Sequence, residues 1–99
     1  MFNPETQEKK EKYQEEKEIN GIKIIVVYDT RYGNYVLKFP QIELGEEAID
    51  KGVFDQIIRI DENPDNAKKI FDLAVKEAEN GSDVYKLFKK SEAFAGELE

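Results

Sequence analysis

GIKIIVVYDTRYGNYVLKFP, Gly21 to Pro40, holds two apolar runs, IKIIVVY and YVLKF, on either side of a polar loop, which reads as two strands of a hairpin. With Thr30-Arg31-Tyr32-Gly33 as the loop, Ile24 falls opposite Phe39, Val26 opposite Leu37 and Tyr28 opposite Tyr35. Gly33 then supplies the positive φ that closes the loop, so one register satisfies both turn and packing. Ile25 and Val27 make the first strand apolar on its second side too, which predicts an internal strand or a further layer across it.

Elsewhere the pattern changes. Asn63-Pro64-Asp65 reads as a helix cap with a first-turn proline, after which Ala67, Ile70, Phe71, Ala74 and Ala78 recur at helical spacing. Asn80-Gly81 ends that helix, and Ser82 or Asp83 opens another with Val84, Leu87, Phe88, Ser91 and Ala95 on one side. Such a helix pair needs a sheet to cover its apolar stripe. Between hairpin and helices, a short helix is expected over 46–51 and a third strand over 53–60, where branched residues concentrate.

The first eighteen residues carry no comparable pattern. Glu5 and Lys9, and Glu8 and Lys12, stand four apart in the order that supports a helix, while Phe2 and Tyr13 are their only large apolar residues apart from Met1. Residues 1–18 therefore read as a charged helical arm whose loss is expected to cost the fold little, and residues 19–99 as a single α+β domain. In that domain a small antiparallel sheet around the 21–40 hairpin packs against the C-terminal antiparallel helix pair.

Composition narrows the chemistry. The 99 residues hold neither cysteine nor histidine, which removes disulfides, thiolate metal sites, the commonest general base and the ordinary pH switch. Net charge is −7 and the only arginines are Arg31 and Arg59, so no basic footprint for nucleic acid exists. The N-terminus MFNPETQEKK has no apolar signal segment and no run is long enough to span a membrane. No cofactor fingerprint is present, and a non-enzymatic protein is expected.

Three local patterns were weighed as sites. Asp61 to Asp72 partly matches a calcium loop, but Asn66 stands where glycine is needed and Pro64 interrupts the loop, so a helix cap explains it better. Asn80-Gly81-Ser82 matches a glycosylation acceptor and equally a helix stop and start. Glu43, Glu46, Glu47, Asp50 and Asp55 are close in sequence, as a carboxylate-based enzyme would require, but the chain has no histidine to activate its two serines. The candidate interface is Ile25, Val27, Tyr28, Arg31, Tyr32 and Tyr35, since Tyr and Arg anchor protein contacts. Alternatively, Tyr28 and Tyr35 form a cross-strand pair and Arg31 and Tyr32 decorate the loop. A second copy of the chain is the expected cover for Ile25 and Val27, which makes a homodimer the leading assembly.

Glu and Lys dominate the charged set, the direction in which hyperthermophile chains drift. Together with the missing cysteine and histidine, the small size and the order of charged arm, YDTRYGNYVLKFP hairpin and NPDNAKKIFDLAVKEAENG helix, this makes the chain resemble small proteins of filamentous and rod-shaped viruses (lipothrixvirus and rudivirus type) of hyperthermophilic, acidophilic archaea. The resemblance spans most of the chain and implies a thermostable, acid-stable viral accessory protein in the host cytoplasm or virion. It supplies no catalytic or binding residue. A protein-interaction module is the leading function, and an acidic decoy that imitates nucleic acid is the alternative.

Overall fold

The expected hairpin is present in the computed structural model, which describes residues 12–98. Val26 pairs with Leu37 and Tyr28 with Tyr35, and Gly33 closes the loop at φ 72°. The two strands, Ile22–Asp29 and Asn34–Lys38, are the middle pair of a four-stranded antiparallel meander. In chain order the strands are β1 (Glu15–Ile19), β2 (Ile22–Asp29), β3 (Asn34–Lys38) and β4 (Ile57–Arg59). The helices are α1 (Glu46–Asp50), α2 (Pro64–Glu79) and α3 (Val84–Gly96). The internal placement expected of β2 is therefore met.

β1 corrects the helical reading of the arm over residues 15–18. Asn20 and Gly21 both take positive φ, 52° and 82°, the pair of values a two-residue hairpin turn demands. The turn folds Ile19 onto Ile22 and Glu15 onto Val26. A polar helix here would gain only tenths of a kcal/mol per ion pair. The strand instead gains ladder hydrogen bonds and places Tyr13 and Ile19 against the core. Its Glu and Lys residues suit a sheet edge, because charged edges resist pairing with stray chains. Residues 12–14 take no helical form either, and residues 1–11 of the arm reading lie outside the described residues.

β4 is shorter than the 53–60 strand expected, and it is the fourth in the chain. Val53 is fully buried, but its N–H donates to Ala48 O at 2.8 Å, which ties it to the end of α1 and not to a ladder. Phe54 then turns outward, 72% exposed, and Asp55 caps Gln56 N at 2.7 Å before pairing starts. α1 itself ends one residue early, with Lys51 as its C-cap.

The helix pair is as expected. Asn63 Oδ1 accepts from Asp65 N at 2.8 Å and Asp83 Oδ1 from Lys86 N at 2.9 Å, so each helix starts on its own side-chain cap. α2 lies over β1 to β3 and α3 over β4, all on one face of the sheet. Ile24, Val26, Tyr35, Leu37, Phe39 and Ile58 meet Ile70, Phe71, Leu87 and Phe88 in one core. Phe39 and Phe88 close it edge to face, with ring centres 5.8 Å apart.

Candidate interaction face

Among the described residues the helices cover one side of the sheet and no element covers the other. The strand registers place Glu16, Ile25, Lys38 and Ile57 in one rung across that bare side, and Val27, Val36 and Arg59 in the next. Residues directly opposite one another share a face, so both rungs are contiguous surfaces. Ile25, Val27, Val36 and Ile57 lie outside the core cluster that the helices enclose. Val36 is only 1% exposed, while Ile25, Val27 and Ile57 remain half-buried. Val27, Val36 and Ile57 line a shallow depression of about 450 Å3 that Arg31 and Lys38 border.

One end of the face is built around Asp29. Partial burial favours its neutral form, but the Arg31 N–H at 3.0 Å and the guanidinium groups of Arg59 at 3.2 Å and Arg31 at 3.5 Å outweigh this. They hold the carboxyl below the usual range. Arg59 also donates to Asn34 Oδ1 at 2.9 Å and stacks 4.3 Å from the centre of the Tyr32 ring. Both arginines of the chain thus sit at one corner of an otherwise acidic molecule.

The sequence-based interface is split by this geometry. Ile25 and Val27 are on the bare face, and Arg31 and Tyr32 are exposed at its end. Tyr35 is a correction: it belongs to the core cluster and lies on the helix side of the sheet, away from a partner on the opposite face. Its ring meets Tyr28 edge to face at 5.1 Å, on the helix side of the sheet, so the cross-strand alternative describes this pair. Val36, Ile57, Lys38 and Glu16 were not among the expected site residues. The hairpin register sets Val36 opposite Val27, on the side away from the core.

The other candidate chemistry resolves into structure. Asp61 accepts from Asn63 N at 3.0 Å and from Asn66 Nδ2 at 2.7 Å, both part of the turn into α2. Gly81, at φ 96°, lies in the short link between the two long helices. Among the described residues no group of three or more carboxylates, histidines or cysteines is placed to hold a metal ion, and no helix is long and apolar enough to cross a membrane. No family model, curated protein or solved structure matches this chain.

Proposed function

We propose that this chain is a non-enzymatic protein-interaction module that works through the bare face of its sheet and assembles as a homodimer. The observation that carries this reading is the apolar block Ile25, Val27, Val36 and Ile57, which lies across three strands and serves no core of its own. A one-sided sheet would ordinarily alternate apolar inside with polar outside. Here the outer side carries four apolar residues on its inner and β4 strands, with Lys38 between Ile25 and Ile57 and further charges at the edges, which supports an interface.

The acidic-decoy alternative needs carboxylates aligned on one face. Instead they are interleaved with lysines: Lys23 with Glu16 at 3.3 Å, Lys68 with Asp72 at 3.5 Å and with Glu15 at 3.9 Å, Lys89 with Glu92 at 3.2 Å. This supports ordinary solvation over mimicry. The proposed setting, following the resemblance, is that of a viral accessory protein in a hot host cell.

Light scattering tests the reading. Wild type is expected to show a mass approaching twice that of the chain at high concentration. Ile25→Lys is expected to be monomeric with a wild-type circular dichroism spectrum, and Arg31→Ala to associate as wild type does. A wild-type monomer at the highest soluble concentration refutes the homodimer.

A further inference from the structure

The bare face is charged asymmetrically, and this selects one way of stacking two copies. On its β1 side it carries Glu16 and Glu18, opposite Ile25 and Lys23. On its β3 and β4 side it carries Lys38 and Arg59. Lys23 is held by Glu16 at 3.3 Å, and Asp29 is held by the two arginines. What remains is an acidic margin at Glu18 on β1 and a basic group at Lys38 on β3, which stands in its rung between Ile25 and Ile57.

We infer that, given the homodimer proposed above, the two copies stack face to face about a two-fold axis parallel to the strands, with β1 over the partner's β4 and β2 over the partner's β3. Aligned sheets pack about 10 Å apart with strands about 4.8 Å from one another. In this arrangement Val27 lies over the partner's Val36, and Lys38 reaches the partner's Glu16 and Glu18 one strand away. Symmetry repeats each contact. The other aligned two-fold, across the strands, sets β1 on β1 and so places Glu16 and Glu18 against their own copies. Like charges in register suppress that alternative.

The size of the face sets the strength. Strands of 5, 8, 5 and 3 residues, each residue covering about 4.8 by 3.3 Å, give a footprint near 330 Å2 per copy, about 670 Å2 in all. That is below the roughly 1,000 Å2 of a stable specific interface and in the range of weak, transient contacts. The dimer is therefore reversible on dilution and weakened by salt, because its orientation rests on charges at the rim.

Sedimentation of three proteins decides it: wild type, the acid-margin variant Glu16→Lys with Glu18→Lys, and the basic-margin variant Lys38→Glu. Arg59 is left intact because Asp29 and Asn34 depend on it. Each variant alone is expected to associate at least about tenfold more weakly than wild type, with an unchanged circular dichroism spectrum. An equimolar mixture of the two is expected to recover association, because both of its contacts then pair opposite charges. A wild-type dimer whose variants associate as well as wild type overturns the stacking and leaves the homodimer standing. Stronger association of wild type with the acid-margin variant than of either alone overturns it in favour of β1 on β1. A wild type that never dimerises removes the homodimer itself.

Discussion

Ser91 is fully buried on the core side of α3, and its hydroxyl is the one buried side-chain polar atom without a hydrogen-bond partner among the described residues. Ser91→Ala should therefore stabilise the protein. An unpaired buried hydroxyl costs about 1–3 kcal/mol of desolvation, and alanine is also the better helix former by about half a kcal/mol. Against this stands the loss of a few dispersion contacts at about 0.1–0.2 kcal/mol each. The net gain is about 1–2 kcal/mol. For a domain of this size that is a rise in melting midpoint of roughly 4–15 °C. Urea titration with matched m-values is the cleaner assay, since it separates stability from changes in the unfolded chain. Ser91→Val, which adds volume to the same packed site, should destabilise by about 1–3 kcal/mol. A lower midpoint for Ser91→Ala would refute the reasoning and show that the hydroxyl is bonded in solution, as a serine can be to the carbonyl four residues earlier in a helix.

Further outcomes follow from the same geometry. Removing residues 1–18 deletes the β1 ladder and Tyr13, so a loss of at least about 2 kcal/mol is expected, read as a lowered or broadened thermal transition; an unchanged melt would show β1 to be dispensable. Tyr35→Ala should cost about 3–5 kcal/mol and Tyr32→Ala less than about 0.5 kcal/mol in denaturant titrations, because one ring is core and the other is surface. Asp29 has a depressed folded pKa, so its contribution is complete above the unfolded value near 4 and is lost as pH falls through the folded value. Asp29→Asn should therefore flatten the acid limb of the stability profile, and an unchanged slope below about pH 4 would contradict that assignment.

The hairpin was legible because turn chemistry and packing demanded the same register at Gly33, Val26 and Leu37. The helix pair was legible because Asn63-Pro64 and Asn80-Gly81 bracket a clean apolar stripe. β1 was hidden by its own edge role: Glu15, Glu16, Lys17 and Glu18 look like a solvated helix, and only the Asn20-Gly21 dipeptide announces a hairpin. The length of β4 was hidden for a different reason. Val53 and Phe54 have strand-forming side chains, yet the Val53 N–H is spent on Ala48, a tertiary choice that local preference does not encode. At the candidate site, Ile25 and Val27 were visible as a second apolar side. Tyr35 misled because an aromatic near a loop reads as surface until the fold brings Tyr13 and Tyr28 onto it.

The central claim is that the bare face, and not another apolar patch, brings two copies together. Isotope-filtered nuclear Overhauser spectroscopy on an equimolar mixture of labelled and unlabelled protein tests it directly. The account predicts intermolecular methyl cross-peaks between Val27 and Val36, joined by Ile25 and Ile57. Cross-peaks from Phe54, Leu44 or Ile49, the exposed apolar residues away from that face, with none from Val27 or Val36 would contradict it.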